Sequence, residues 1–383
     1  VGVPGTLRLM EFMHKRYGLM KWSKLFEPAI NLAREGFKIS PRLFESISTA
    51  QKRGLDRFPS TRAYFFDDNN IPRSTGSKLI NEPLAKTFDL VAQEGADAFY
   101  KGDIAKAIVS AVQGTEFNPG YLTLQDLASY EVKVREPICV PYHQYNICGM
   151  GSPSSGGLTV GQILGILENF DLRSLSPTIE AAHLFIEASK LAYADRNLYM
   201  ADKDFISVPE KGLIDKTYLL RRSQLITKTS SAKVNPGYPL GSEGLLRSLQ
   251  KQNEKSGTTH YVVVDKHGNA ASVTSTIETG FGSRVMVGGF LLNNELTDFS
   301  FIPERNGQLI ANRLEGGKRP RSSMAPTIVF KKEEPFLITG SPGGSRIISY
   351  VARTILSVLE CGVDPQLAIN SGQIVNRNGV TEL

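Results

Sequence analysis

The chain has 383 residues, 41% of them apolar, a net charge of +6 and a pI near 9.0. This is enough apolar material for one large domain or two ordinary ones, and no apolar run approaches the ~20 residues that span a bilayer. The diffuse charge, densest at Lys318-Arg319-Pro320-Arg321, argues against nucleic acid as a partner.

Three cysteines, Cys139, Cys148 and Cys361, allow at most one disulfide and have no paired metal spacing, so they read as buried small hydrophobes. The histidines include no His-Glu-x-x-His pair, and no metal or other cofactor is implied. The start, Val-Gly-Val-Pro-Gly-Thr, lacks the basic and apolar regions of a signal peptide. With no initiator methionine and an abrupt finish at Leu383, both ends read as truncations.

From Thr6 to about Gly114 the spacing is helical, with turns at Glu35-Gly36, Asn69-Asn70 and Gly76. Ala98, Phe99, Ile104, Ile108 and Val112, interrupted by Gly102-Asp103, predict two short helices joined at a cap. Between Tyr130 and Met150 the pattern turns strand-like, through Val132, Val134, Ile138, Val140 and Ile147. Pro153-Ser154-Ser155-Gly156-Gly157 is read as a tight loop ahead of an amphipathic helix carrying Val160, Ile163, Leu164 and Leu167. Ser176-Pro177 is the expected start of the next helix, whose apolar face runs through Ala182, Phe185, Ile186 and Ser189 to Tyr193. Residues 227–257 lose periodicity and gain Pro, Gly, Ser and charge, as a mobile segment does.

Two β-rich runs, Tyr261–Val264 and Ala270–Ile277, flank Lys266-His267-Gly268 and predict a hairpin with Gly in the left-handed position. Centred on His267, the register pairs Thr258 with Thr276, hydroxyl against hydroxyl. Gly288 to Leu292 reads as a strand. A second hairpin is expected from Thr327–Phe330 and Pro335–Thr339, entered from Ser322-Ser323 and turned at Lys331–Glu334. Gly340-Ser341-Pro342-Gly343-Gly344-Ser345 then leads into a helix faced by Ile348, Val351, Ala352, Ile355 and Leu359, closed by Gly362 and Pro365.

Free N–H groups at such a strand-to-helix turn favour an anion. The lysine of a nucleotide P-loop is absent, which leaves a structural turn or an oxyanion hole built on Gly343 and Gly344.

Four strings together resemble the γ-glutamyltransferase family: Thr258-Thr259-His260-Tyr261-Val262-Val263-Val264-Asp265, Asn293-Asn294-Glu295-Leu296-Thr297-Asp298-Phe299, Arg319-Pro320-Arg321-Ser322-Ser323-Met324-Ala325-Pro326, and Gly340 to Ile347. Pro153 to Gly157 and Tyr193-Ala194-Asp195-Arg196 resemble it as well. The resemblance implies an α+β fold, a four-layer αββα sandwich of the N-terminal-nucleophile hydrolase type. It implies self-cleavage at Gly257-Thr258 into a large subunit, 1–257, and a small one, 258–383, which remain together as a heterodimer.

In that family pattern Thr258 forms the acyl-enzyme, Thr276 supports it, and Gly343 and Gly344 supply the oxyanion hole. Glu295 and Asp298 hold the substrate ammonium, and Ser322 and Ser323 hold its carboxylate. The implied partners are a glutathione-like γ-glutamyl donor and an amine or water acceptor, and the expected location is the periplasm or the cell exterior. This sequence departs from the pattern at Glu278, where an asparagine is usual, and in residues 301–318, which are short where many members carry a lid. The family's carboxylate-binding arginine falls before Val1. An acylase acting on a glutaryl or cephalosporin-type side chain, and a non-catalytic anion-binding protein, are the rival readings.

Overall fold

The computed structural model describes residues 1–175, 178–250 and 257–383. Helices and strands are mixed in an α+β chain that divides into two compact units, Val1–Val134 with Ile277–Glu295, and Arg135–Thr276 with Leu296–Leu383.

The first unit is mostly helical. Helices Asp97–Lys101 and Asp103–Gln113 meet at Gly102, the expected break. Phe99, Ile104, Ile108 and Val112 turn inward with Val91, Tyr100, Leu127 and Leu292 to make one core. The turn residues Gly36, Asn70 and Gly76 all have positive φ, which Gly and Asn tolerate best. Gly288–Leu292 is not a single strand. Met286–Val287 pairs with Phe290–Leu291, and Gly288-Gly289 makes the turn between them. Thr87 Oγ1 and Asn81 Nδ2 dock that turn by donating to the carbonyls of Gly288 and Gly289, both at 2.8 Å.

The second unit is built on a four-stranded antiparallel sheet in the order Glu334–Thr339, Thr327–Lys331, Tyr145–Gly149, Ile138–Tyr142. Ile138, Val140 and Tyr142 alternate into the core, as a period of two requires. The sheet starts at Ile138, later than Val132 and Val134 imply. Val134 is exposed and Val132 only half-buried, so that stretch buries no continuous apolar face.

Cys139 and Cys148 are register partners in the first strand pair and form a disulfide, while Cys361 is an exposed thiol. This corrects the expectation of three buried thiols. Directly opposed antiparallel positions bring side chains into bonding reach, and that relation depends on where the turn falls.

Helix Gly156–Leu167 is buried on every side rather than amphipathic. Its polar Gln162 donates to Asp195 at 3.1 Å, while its Oε1 is buried with no hydrogen-bond partner among the described residues, so a polar residue at that position does not mark a solvated face. Helices Ile179–Tyr199, Lys216–Ser223 and Ile347–Leu359 pack against it. Ile348, Val351, Ala352, Ile355 and Leu359 are buried as their spacing implies. Ser176-Pro177 lies outside the described residues. The helix that follows begins at Ile179, and Thr178 caps it by accepting from Ala181 N at 3.3 Å.

Residues 227–250 contain no helix or strand, in keeping with their composition, and 251–256 lie outside the described residues. A buried ion pair anchors the start of this stretch. Lys190 Nζ reaches Glu187 at 2.7 Å and also donates to Ser230 Oγ and Ser231 O at 2.9 and 2.5 Å.

Candidate active site

Strands Thr258–Val264 and Ala270–Thr276 form the expected hairpin with the expected register, from Thr258 opposite Thr276 to Val264 opposite Ala270. Asp265 closes it. Its Oδ1 accepts from the N–H groups of His267 and Asn269 at 2.8 and 2.9 Å, and Gly268 takes a positive φ of 83°. The Asn269 amide donates to the other carboxylate oxygen at 2.8 Å, and these bonds hold Asp265 below the usual carboxylate range. At the open end of the hairpin Thr258 Oγ1 donates to Thr276 Oγ1 at 3.4 Å. Both threonines are half-buried, so each hydroxyl can be reached while one orients the other.

His260 lies on the same strand face as Thr258, two residues on. Its Nδ1 is 2.9 Å from Oγ1 of its register partner Thr274. Burial lowers its pKa, and Nε2 is buried with no hydrogen-bond partner among the described residues, so the ring is neutral at neutral pH. The ring lies against the backbone at Gly340, where an added Cβ would come within 2.2 Å of it. Ser272 Oγ adds a bond to Thr339 O at 3.2 Å. The hairpin therefore rests on the last strand of the sheet where the glycine-rich turn begins. Sequence reasoning passed over His260, although its distance of two from Thr258 was the available signal.

In that turn Gly343 has φ 142° and ψ 10°, and Gly344 has φ 60°. Neither conformation suits a residue with a Cβ. The turn leads through Gly344–Arg346 into helix Ile347–Leu359. N–H groups at such a helix entry can stabilise an oxyanion.

Ser322 and Ser323 sit ahead of strand Thr327–Lys331, outside any named strand. Ser322 bridges in parallel to Ser154. Its carbonyl accepts from Ser155 N and Oγ at 2.8 and 2.7 Å, and Ser154 Oγ donates to Met324 O at 2.6 Å. A Cβ on Gly156 would lie 2.2 Å from Met324 O, so glycine there permits the close approach. The turn falls at Ser152-Pro153, and Gly156 and Gly157 already belong to helix Gly156–Leu167, so only the first part of 153–157 is the expected loop. Ser323 is buried, and its Oγ accepts from Arg196. Asp298 stands in the same unit, its carbonyl accepting from Gln250 and Asn312 side chains at 3.3 and 2.8 Å.

Glu278 and Glu295 belong to the first unit. Glu278 is buried at a positive φ of 75°, and its Oε2 accepts from Asn294 Nδ2 at 2.8 Å. Glu295 is pushed up to about 7, chiefly by burial and then by the charge of Glu278, and its Oε1 is buried without a hydrogen-bond partner among the described residues. Two carboxyls of one sign in one low-dielectric neighbourhood attract a cation. Among the described residues no group of His, Cys, Asp and Glu is arranged to hold a metal ion, and no helix is long and apolar enough to cross a membrane.

The whole chain, residues 1–383, matches the family description Gamma-glutamyltranspeptidase. It is 40% identical over 383 residues to the glutathione hydrolase proenzyme of Bacillus subtilis (strain 168), covering 98% of this chain and 63% of that protein. The chain thus spans less than two thirds of that relative's length. Among solved structures, cephalosporin acylase from Bacillus halodurans superposes with a TM-score of 0.85 at 25% identity, over 98% of this chain and 66% of that one. The γ-glutamyltranspeptidase of Helicobacter pylori gives a TM-score of 0.60 at 40% identity, over 64% of this chain and 70% of that one.

Proposed function

The chain belongs to the γ-glutamyltranspeptidase family, and from that premise we propose that its protein is a self-cleaving enzyme that removes γ-glutamyl groups from glutathione-like amides. The observation that carries this reading is the pairing of Thr258 with Thr276 at the open end of the hairpin.

Self-cleavage begins when Thr258 Oγ attacks the Gly257 carbonyl carbon. The C–O ester bond forms, the Gly257–Thr258 C–N bond breaks, and the Thr258 nitrogen leaves as an amine after taking the hydroxyl proton. Water then hydrolyses the ester. Gly257 has no Cβ to shield its carbonyl. The freed α-amino group, with an ordinary pKa near 8, is a base attached to its own nucleophile.

In turnover, Thr258 Oγ gives its proton to that amine and attacks the donor's γ-carbonyl. The N–H groups at Gly343 and Gly344 take up the oxyanion. The leaving amine departs with the proton, and water or a second amine resolves the acyl ester. Thr276 orients the nucleophile, and the Ser322 and Ser323 hydroxyls meet the donor carboxylate. Glu278, Glu295 and Asp298 take its ammonium, which offsets the burial and, second to it, the Glu278 charge that raise Glu295.

Subunits 1–257 and 258–383, a four-layer αββα sandwich, and a periplasmic or extracellular location complete the reading. The Cys139–Cys148 disulfide supports the location, because such bonds persist in oxidising compartments.

The test is a denaturing gel with N-terminal sequencing. The protein should split with time into two bands, the smaller starting at Thr258, while Thr258→Ala stays whole and releases no product from a γ-glutamyl anilide. Normal processing of that variant would overturn the reading. A protein that never splits would favour a non-catalytic anion-binding role. Likeness to a cephalosporin acylase, together with Glu278, favours one second reading in which the same threonine acts on a glutaryl amide. Faster turnover of glutaryl than of γ-glutamyl anilide would establish it.

A further inference from the structure

The motif Tyr193-Ala194-Asp195-Arg196 has no part in the chemistry above, yet it lies buried in helix Ile179–Tyr199 and touches two pieces of the candidate site. Tyr193 donates its hydroxyl to the carbonyl of Ser345, the residue after Gly344. Arg196 donates from Nε to Ser155 Oγ at 2.7 Å and from its terminal nitrogen to Ser323 Oγ at 2.5 Å. Residues three apart share a helix face, and the guanidinium stands 5.7 Å from the centre of the Tyr193 ring. Asp195 points elsewhere. Its carboxylate accepts from Tyr218 Oη at 2.7 Å, Gly237 N at 2.8 Å and Gln162 at 3.1 Å, which fixes the rotation of the helix.

We propose that this helix face sets the glycine turn and the serine pair in register, with Tyr193 positioning the oxyanion N–H groups and Arg196 positioning the Ser323 hydroxyl for a substrate carboxylate. The proposal rests on the acyl-transfer reading and deepens it. Gly343 and Gly344 have no Cβ to restrict them, so their N–H groups keep one direction only if the turn is clamped from outside. Tyr193 clamps it at the Ser345 carbonyl, and Arg377 clamps it again by donating to Ser345 Oγ at 2.6 Å. At the other site, a hydroxyl that accepts from a guanidinium must send its own proton elsewhere. The charge-assisted bond also makes that proton a stronger donor. Ser155 accepts from the same guanidinium and holds the Ser322 carbonyl, so one cation steers both serines.

The experiment compares wild type, Tyr193→Phe and Arg196→Lys on γ-glutamyl-p-nitroanilide and on 4-aminobutyryl-p-nitroanilide, which is the same donor without its α-carboxylate. A wild type inactive on the first substrate would end the acyl-transfer reading itself; the comparison among variants tests only the positioning. Tyr193→Phe should lower kcat roughly tenfold with KM within about twofold. Arg196→Lys should raise KM for the γ-glutamyl substrate roughly tenfold and leave kcat/KM for the 4-aminobutyryl substrate within about twofold. Unchanged constants, or equal loss on both substrates in both variants, would overturn the proposal. Thermal midpoints separate loss of fold from loss of register. Should Arg196→Lys not fold, Ser155→Ala removes one partner of the same guanidinium and should show the same substrate-dependent split, smaller in size; its absence would count against the proposal equally.

Discussion

Replacing Glu278 by Gln should make the stability of the protein less sensitive to pH. Glu295 titrates near 7 against an ordinary 4.5, with burial as the larger cause and the charge of Glu278 as the second. Between those values the folded carboxyl keeps a proton that the unfolded chain has released, so stability falls as pH rises through the window. At about 1.36 kcal/mol per pH unit the effect is at most roughly 3 kcal/mol, and nearer 2 kcal/mol for a group that is only partly buried. In a domain of 150 to 250 residues that is a drop of about 4 to 8 °C in Tm between pH 5 and 8. Glu278→Gln keeps an acceptor for Asn294 Nδ2 and removes the second cause, so the midpoint of the fall should move down by up to about one pH unit. Glu295→Gln should abolish the fall. The assay is Tm by calorimetry at half-unit pH steps on all three proteins. Parallel curves for wild type and both variants would refute the reasoning.

Thr276→Val keeps the strand and removes a long neutral hydrogen bond to Thr258, worth about 1 kcal/mol, so acyl-enzyme formation measured by stopped flow should slow about fivefold. Lys190→Met strands the buried Glu187 carboxylate, which should destabilise by roughly 3 kcal/mol and speed proteolysis near Ser230 and Ser231. Replacing both Cys139 and Cys148 by Ala opens a short loop and should lower stability by about 2 kcal/mol. A reductant should lower the Tm of the wild type and leave that of the double variant unchanged.

The parts legible in sequence were those fixed by local periodicity. The hairpin register followed from one centre, His267, because side chains alternate with a strict period of two. The helix break at Gly102 followed from one glycine. What escaped was set by partners distant in sequence. The helix faced by Val160, Ile163, Leu164 and Leu167 read as amphipathic until helices remote in the chain covered its other side. Cys139 and Cys148 became a bond only once their strands paired. Gly288-Gly289 read as strand because the docking groups on Thr87 and Asn81 lie some two hundred residues away. At the candidate site the threonines, glycines and serines could be singled out by type and order. Tyr193 and Arg196 could not be given partners, since neither Ser345 nor Ser323 is near them in the chain.

Gly257 stands one residue outside the ladder, which begins at Thr258 and ends at Val264. A scission at that bond breaks no cross-strand hydrogen bond, and every pair from Thr258–Thr276 to Val264–Ala270 survives it. The new amino terminus would be born on a strand already in place rather than on a loose end. If the proposed cleavage takes place, precursor and product share one template, and the hairpin keeps its register through it.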